Sequence, residues 1–401
     1  MPTGRGVAVL GAGVLLWAGA RLTGSPDLHI VAVGIVLLTP LALLLMRWNR
    51  PQIRITRRLS ARRVFSGSHV RVDLEVRNPT RVPAGVLLLE DRLPPGLGRA
   101  ARAVLSGLRP KVRQKVSYTL TCSRRGRYEI GPLEASHTDP FGLARHRSEF
   151  PSRHELIVYP EVEDLGRGAP TRAAGGSGEA AAHRLFRTGE DFYTMREYEI
   201  GDDLRRIHWP STARTGKIMI RQDEIGRRAS VTMFLDSRRI PYANDRAFER
   251  AVSAAASIGN LALREGASLR LAGIDLLPRR VSLDSFLEAL AVVSFSNQRN
   301  LGPSLLGLRD RSATGSTLVV VTPLPSSTDL SPLLSVSGGY GVKLAVLVDP
   351  ALADPDDKRV LAARVALARA GWQIVLLPPD RRLHETWIDR PTRPIAAGAR
   401  S

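Results

Sequence analysis

Two long apolar segments near the start of the chain constrain its fold more than any other feature. Residues 7–20 carry only apolar side chains and glycine, and residues 28–46 have a strongly polar side chain only at His29. Because a helix needs about 20 apolar residues to cross a bilayer, we predict a transmembrane helical hairpin over residues 1–50. Ala18-Gly19-Ala20 also matches a signal-peptide cleavage site, so a cleaved signal sequence is the alternative for the first segment.

Arginine residues define the expected orientation of this hairpin. The link between the two segments contains only Arg21, whereas seven arginines lie directly after the second segment: Arg47, Arg50, Arg54, Arg57, Arg58, Arg62 and Arg63. The positive-inside rule places such a basic flank in the cytoplasm. We therefore expect a multi-pass protein of the inner (cytoplasmic) membrane whose soluble domains lie in the cytoplasm. The single Cys122 excludes an internal disulfide and agrees with a reducing compartment.

The formal net charge of +20 suggests nucleic acid as a possible partner. A nucleic-acid interface needs a clustered basic face or a recognisable binding module. Arginine is instead spread along the chain, and no such module is present in the sequence. We therefore expect no nucleic-acid partner, and binding through charge alone ranks third among the functional hypotheses.

Residues 51–162 follow a period of two. Apolar side chains alternate with polar ones over residues 70–76 and again over residues 116–122, and turn signals such as Asn78-Pro79 separate these runs. This pattern predicts short half-buried strands and a small immunoglobulin-like β-sandwich. Residues 163–184, rich in Gly, Ala and Arg, are expected to form a linker or loop.

Residues 229–380 alternate between strand and helix patterns, and residues 381–401 form a C-terminal tail. Apolar strands are predicted at residues 231–235, 269–274, 317–321, 342–348 and 373–377, and helices at residues 245–264, 282–294, 330–334 and 355–370. This alternation predicts an α/β (Rossmann-like) domain with a mostly parallel sheet and helices on both faces. The chain is therefore expected to be multidomain.

Residues 185–228 combine aromatic, glycine and paired charged residues more densely than any other stretch. Unpaired buried charges cost several kcal/mol, so we predict a half-buried platform in which aromatic side chains and ion pairs lie together. Gly201 and the following Asp202 and Asp203 are expected to turn into a short helix. Leu204 and Ile207 would then face inward, and Arg205 and Arg206 would pair with carboxylates of residues 197–199.

The same stretch resembles the signature of the bacterial family catalogued as domain of unknown function 58 (DUF58). The resemblance is carried by Arg196, Tyr198, Gly201, Asp202, Asp203, Arg205, Ile207, Trp209, Ala213 and Arg214, followed by Arg221 and Glu224; Gly189 and Phe192 precede them in the same candidate interaction surface. The resemblance implies a membrane-anchored bacterial protein with a von Willebrand A-like C-terminal domain. It also implies a MoxR-type AAA+ ATPase, or the client of that ATPase, as a protein partner.

A von Willebrand A-like domain binds Mg²⁺ through an Asp-x-Ser-x-Ser sequence at the end of its first strand, with further oxygen ligands from later loops. Asp236 occupies the first position of that pattern, but Arg238 and Ile240 stand where the serines are needed. The next acidic residue after the later strand that ends at Thr322 is Asp329. We therefore predict a degenerate metal site, with no metal and no cofactor.

No set of residues identifies a catalytic mechanism. His208 lies near Ser211 and Thr212 in sequence, but the spacing matches no known triad, and we assign no catalytic residue. The leading hypothesis is a non-enzymatic membrane adaptor that acts through protein–protein interaction. The alternative is a carboxylate-dependent hydrolase that uses Asp202 and Asp203. The signature is equally compatible with a partner surface and with a structural seam between domains.

Overall fold

The structure is a computed structural model that describes residues 1–48, 52–81, 86–139, 141–166, 193–199, 202–204, 207–223, 229–309, 316–349 and 358–388. Only the backbone is described for residues 193–196, 221–223, 309, 337 and 388. The chain divides into two compact units, an N-terminal unit (Met1–Tyr159) and a C-terminal unit (Pro160–Ser401).

The N-terminal unit begins with two long apolar helices, α1 (Gly4–Thr23) and α2 (Pro26–Trp48). A Cβ atom at Gly13 would lie 2.9 Å from the side chains of Ile35 and Val36, so the missing side chain permits close helix packing. Both helices are long and apolar enough to cross a membrane, properties that an N-terminal signal sequence shares. The predicted apolar segments are thus confirmed as helices that extend a few residues beyond each predicted end.

The described residues that follow in this unit form ten strands. They are β1 (Arg54–Leu59), β2 (Arg63–Phe65), β3 (His69–Arg77), β4 (Val86–Asp91), β5 (Ala101–Leu105), β6 (Arg113–Thr121), β7 (Gly126–Ile130), β8 (Leu133–Thr138), β9 (Arg145–Phe150) and β10 (His154–Tyr159). They form three sheets with the orders β1-β3-β6, β5-β4-β8-β9 and β2-β10-β7. The predicted alternation is confirmed on β3, where Val70, Val72, Leu74 and Val76 are all buried. These side chains belong to a core that strands of all three sheets share.

A buried ion pair joins two of these sheets. Arg57 on β1 donates from Nε to Asp91 Oδ2 at 2.9 Å and from Nη2 to Asp91 Oδ1 at 2.5 Å. The Tyr118 hydroxyl donates to Asp91 Oδ2 at 2.6 Å, and burial together with this hydrogen bond raises the pKa of Tyr118. Arg57 is one of the seven arginines that predicted the membrane orientation, but its charge lies inside the protein and not at the surface.

The C-terminal unit contains a two-stranded antiparallel sheet and a six-stranded sheet. The first pairs β11 (Tyr193–Glu197) with β12 (Met219–Asp223). The second comprises β13 (Ser230–Leu235), β14 (Ser268–Gly273), β15 (Leu276–Val281), β16 (Thr317–Pro323), β17 (Val342–Val348) and β18 (Gln373–Leu377). Its order is β15-β14-β13-β16-β17-β18, and all neighbours are parallel except β15, which is antiparallel to β14.

Apart from the first, the helices of this unit lie between or after the strands of the larger sheet along the chain. They are α3 (Trp209–Thr215), α4 (Asp245–Arg264), α5 (Leu283–Val292), α6 (Gly302–Arg309), α7 (Ser327–Val336), α8 (Lys358–Arg369) and α9 (Leu383–Ile388). The Asn244 side chain caps α4 by accepting a hydrogen bond from the Ala247 amide at 2.8 Å. All residues of β16 are buried, as expected for a central parallel strand covered on both faces. The predicted mostly parallel sheet is confirmed.

The order of the larger sheet creates a topological switch point. The chain adds β14 and β15 on one side of β13 and then returns to add β16, β17 and β18 on the other side. In open α/β sheets, ligands bind outside the carboxyl ends of the two strands at such a point. The residues that end β13 and β16 are therefore the first place to look for a functional site.

Candidate functional site

The described part of the signature forms a small module, residues 193–199, 202–204 and 207–223, in which β11, β12 and α3 are held together by local hydrogen bonds. The amides of Tyr198 and His208 donate to the carbonyls of Ile218 and Met219, both at 2.9 Å. The Thr212 hydroxyl accepts from the Met219 amide at 3.0 Å and donates to the His208 carbonyl at 3.1 Å. These contacts fasten α3 to β12.

His208 is the N-cap of α3. Its Nδ1 atom lies 2.9 Å from Ser211 Oγ and accepts a hydrogen bond from the Ser211 amide at 3.3 Å. Capping a helix start satisfies a backbone amide that has no partner within the helix. The proximity of His208 to Ser211 is therefore explained by helix capping within one turn of chain.

Asp202 forms part of a tight turn. Its side-chain Oδ2 accepts a hydrogen bond from the Glu199 amide at 3.0 Å, and its own amide donates to the Glu199 carbonyl at 3.1 Å. These hydrogen bonds agree with the predicted turn at Asp202, whereas Gly201 and part of the short helix predicted to follow lie outside the described residues. A carboxylate engaged with its own backbone in this way contributes to local structure.

Three large apolar side chains of the module face solvent. Leu204 is 61% exposed, Trp209 68% and Ile218 45%. We call these three residues the exposed signature surface. The expectation that Leu204 faces inward is wrong, because most of its side chain is exposed. Ile207, in contrast, lies beside β12, where it forms a bridge with Ile220.

The other signature residues divide into three groups. Arg196 and Arg221 lie on the paired strands β11 and β12, opposite Ile220 and Met195. Ala213 and Arg214 lie on α3 and are exposed, and so is Asp203. The third group lies outside the described residues, and so do the ion pairs predicted for Arg205 and Arg206. This group comprises Gly189, Phe192, Gly201, Arg205, Arg206 and Glu224. Glu197 forms an exposed ion pair with Lys217, with 2.6 Å between Oε1 and Nζ.

A second group of polar residues lies at the switch point of the larger sheet. We call Asp236, Arg238, Thr322 and Asp329 the strand-end cluster. Asp236 directly follows β13, Thr322 lies near the end of the neighbouring β16, and Asp329 lies in the first turn of α7. All four residues are buried. Adjacent parallel strands thus bring together residues that are up to 93 positions apart, Asp236 and Asp329.

Arg238 occupies the centre of this cluster. It donates from Nε to Asp236 Oδ1 at 3.0 Å and from Nη2 to Asp236 Oδ2 at 2.8 Å. Its Nη1 atom donates to Asp329 Oδ1 at 2.8 Å and to the Arg299 carbonyl at 2.9 Å. Thr322 completes the set by donating from Oγ1 to Asp236 Oδ2 at 2.9 Å. One guanidinium therefore bridges two carboxylates from separate elements.

The electrostatics of the cluster follow from this pairing. Burial alone would raise the pKa of Asp329, but hydrogen bonds from Arg238 and Ser326 outweigh it, so the pKa is lowered. Burial alone would lower the pKa of Arg238, but hydrogen bonds to Asp236 and Asp329 outweigh it, so the pKa is raised. Asp329 and Arg238 therefore remain charged at neutral pH.

The Arg238 guanidinium lies between the carboxylates of Asp236 and Asp329. Among the residues that the structure describes, no group of three His, Cys, Asp or Glu side chains is arranged to hold a metal ion. Sequence reasoning identified Asp236 and Arg238 but treated Asp329 as too far along the chain to take part. Its proximity to Arg238 depends on the sheet order, which local spacing does not reveal.

Comparisons with known proteins agree with part of the resemblance. Residues 194–302 match the family model described as "Protein of unknown function DUF58". The match begins in β11 and ends at the start of α6, so it includes the exposed signature surface together with Asp236 and Arg238 of the strand-end cluster.

A curated relative is the Bacillus subtilis (strain 168) "Uncharacterized protein YeaD", which is 26% identical over 226 residues. The alignment covers 55% of each protein, so the chain spans about half the length of this relative.

Similar solved structures include the CARDB domain of the Pyrococcus furiosus protein PF1109, with a TM-score of 0.21 and 12% sequence identity. The match covers 27% of this chain and 93% of the CARDB domain. They also include β-glucosidase 3B from Thermotoga neapolitana, with a TM-score of 0.17 and 12% sequence identity. This match covers 27% of this chain and 17% of the β-glucosidase. Neither similarity is large enough to support an inference about fold or function.

Proposed function

We propose that the chain is a membrane-anchored, non-enzymatic adaptor whose exposed signature surface binds a protein partner. The observation that carries this proposal is the exposure of Leu204, Trp209 and Ile218 within one small module. Aromatic residues, and tryptophan above all, supply much of the binding energy at protein interfaces. An exposed tryptophan held on a short capped helix is therefore a suitable anchor for a partner.

The partner that we propose is a MoxR-type AAA+ ATPase or its client. The resemblance to the DUF58 signature implies this partner, and the family match to residues 194–302 supports the resemblance itself. A von Willebrand A-like identity for the C-terminal unit belongs to the same proposal. It is supported by the doubly wound order of the larger sheet, since von Willebrand A-like folds are one such arrangement.

The membrane anchor in this proposal is the pair α1 and α2, with the soluble part in the cytoplasm. Their length and apolar composition support two membrane crossings. Arg47 and Arg54, which flank the end of α2, are exposed and support the cytoplasmic orientation. Together with the resemblance to a bacterial family, these features favour a bacterial inner membrane.

A non-enzymatic role is favoured by the uses that the described polar groups already have. Asp202 holds a turn, His208 caps α3, and Asp236 pairs with Arg238. Each of these groups carries out a structural task in the fold, and none of those tasks requires a substrate.

The test compares partner binding by the wild type and by a Trp209→Ala variant, each purified as the full chain in detergent from native membranes. Trp209 contributes little to folding because it is exposed, so the variant should keep the thermal stability of the wild type. Truncating a tryptophan anchor costs about 2 kcal/mol or more, so we expect binding of the AAA+ ATPase to weaken by about thirtyfold or more.

Leu277→Ala is the matched control, because Leu277 is 72% exposed on edge strand β15 of the same unit. This variant should bind the ATPase as the wild type does. Equal binding by all three proteins would show that the exposed signature surface is not the contact. If the wild type binds no AAA+ ATPase even after mild crosslinking, the choice of partner is wrong.

A further inference from the structure

We propose that the loop at Asp139 and residues 141–144 is a third membrane-contacting element, and that Phe141 at its tip enters the lipid interface. We call it the Phe141 loop. This inference rests on the proposed membrane anchoring by α1 and α2. It adds a binding surface, formed by the β-sheet part of the N-terminal unit, whose ligand is an anionic phospholipid bilayer.

The loop lies directly against the ends of both apolar helices. Thr3, the N-cap of α1, donates from its hydroxyl to the Gly142 carbonyl at 2.5 Å and from its amide to the Leu143 carbonyl at 2.8 Å. A Cβ atom at Gly6 would overlap the carbonyl oxygen of Leu143, so only glycine permits this approach. Leu143 and Ala144 are buried and form one cluster with Ala42 of α2.

These contacts determine how deep the loop lies. An α-helix rises 1.5 Å per residue, so Gly6 lies about 3 Å from the start of α1, and Ala42 lies about 9 Å from the end of α2. Interfacial protein segments bury their apolar side chains about 5–10 Å into the boundary between headgroups and acyl chains. The loop is therefore level with that boundary if the two helices cross the bilayer.

Several backbone groups of the described loop residues already have hydrogen-bond partners within the protein. Asp139 accepts hydrogen bonds from the amides of Phe141 at 3.0 Å and Ala144 at 2.6 Å, and its carbonyl accepts from the Gly142 amide at 3.0 Å. Thr3 occupies the carbonyls of Gly142 and Leu143. Polar backbone groups that already have partners can enter lipid without the large penalty that unpaired groups would have.

Phe141 itself projects outward, since it is 75% exposed although its neighbours Leu143 and Ala144 are buried. Arg5, Arg47 and Arg145 are exposed on the segments that meet at the loop. An exposed aromatic side chain, with exposed arginines on the adjoining segments, suits the interface of a bilayer with anionic headgroups, where the ring meets acyl chains and the cations meet phosphates. Membrane lipid is therefore the partner that this surface fits best.

The experiment places an environment-sensitive NBD fluorophore on single introduced cysteines of the full chain, reconstituted in vesicles of phosphatidylethanolamine and phosphatidylglycerol. The probed variant is Phe141→Cys. Val104→Cys is the matched control, because Val104 is a 65% exposed apolar residue of β5 in the same unit. Cys122 is fully buried, and burial raises the pKa of its thiol, so it should react little with the label.

We expect the label at residue 141 to be quenched by a nitroxide attached near the headgroup end of the acyl chain and to be shielded from iodide in the water. The label at residue 104 should show the opposite behaviour. A label at residue 141 that iodide quenches as strongly as it quenches the one at residue 104 would overturn the inference.

A third variant, Leu15→Cys, separates this outcome from failure of the anchor, because Leu15 is 75% exposed near the middle of α1. Its label should be quenched by nitroxides deep in the acyl chains. If iodide reaches the label at residue 15, α1 does not span the bilayer and the proposed anchoring fails together with this inference. If the label at residue 15 is in lipid but the label at residue 141 is in water, only the present inference fails.

Discussion

Replacing Arg238 with alanine should destabilise the C-terminal unit strongly, because the guanidinium is the only described cation that bridges Asp236 and Asp329. The side chains of Arg238, Asp236 and Asp329 are 4%, 0% and 9% exposed, so water does not replace the lost partner. Removing one member of a buried ion pair costs about 3–5 kcal/mol. For a unit of this size, that change in unfolding free energy lowers Tm by roughly 6–20 °C.

The pH dependence of the unfolding free energy tests whether the loss of the counter-ion causes this destabilisation. In the wild type the pKa of Asp329 is lowered, so its stabilising effect is present above the ordinary carboxyl pKa and disappears as pH falls through the lowered value. In Arg238→Ala the two buried carboxylates have lost their cation, and their pKa values should rise above the ordinary value. Protonation of these carboxylates removes the unpaired buried charge in the variant. The difference in unfolding free energy between wild type and variant should therefore become smaller as the pH falls from 7 to about 4.

The measurement is thermal and denaturant unfolding of the detergent-solubilised full chain, followed by a probe of the C-terminal unit. Arg382→Ala is the control, because Arg382 lies 3.9 Å from Glu161 in a pair whose side chains are 68% and 60% exposed. An exposed pair contributes about 0–1 kcal/mol. A loss below about 1 kcal/mol in Arg238→Ala, or a difference that does not change with pH, would refute the assignment of Arg238 as the internal counter-ion of this cluster.

Two further predictions concern the same unit. Gly259→Ala should lower the unfolding free energy by about 1–3 kcal/mol, because its Cβ would overlap the Phe286 ring. Gly307→Ala on α6, where the Cβ position is open, should instead raise the unfolding free energy by roughly 0.5–1 kcal/mol. Equal effects of the two substitutions in denaturant unfolding would contradict the packing argument. Arg238→Ser leaves the oxygens of Asp236, Thr322 and Asp329 without a cation. Millimolar Mg²⁺ should therefore raise the Tm of this variant and leave the Tm of the wild type unchanged. A calorimetric scan that shows no effect of Mg²⁺ on the variant would contradict the view that the guanidinium replaces a metal ion.

Strands and helices with strong local signals were predictable from the sequence. The predicted bounds of β17 and β18 agree with the structure, because both strands contain the apolar runs typical of a buried parallel strand, at residues 344–348 and 374–377. Helix α4 was predicted with its observed bounds from its apolar spacing. In contrast, β15 was missed, since Pro278, Arg279 and Arg280 do not resemble a strand, and an edge position tolerates all three.

The candidate sites were less predictable, for two different reasons. The pairing of Arg238 with Asp329 joins residues 91 positions apart, and only the sheet order brings them together. Leu204 was expected inside because apolar residues usually are, yet the signature module is too small to cover all of its apolar side chains. Local patterns therefore identified the correct segments but not which side chains meet or which remain exposed.

The contact between Thr3 and the Phe141 loop has a consequence for synthesis of the protein. Thr3 meets Leu143 across 140 residues of chain. Ribosomes add about 5–20 residues per second, so roughly 7–28 s separate the synthesis of the two partners. Late in this interval α1 and α2 have been synthesised, but the segment that closes the start of α1 has not been made. The contacts between the start of α1 and the β-sheet part therefore form only after residue 143 has been made. A fusion that carries only the two helices would lack the Gly142 and Leu143 carbonyls that accept hydrogen bonds from Thr3.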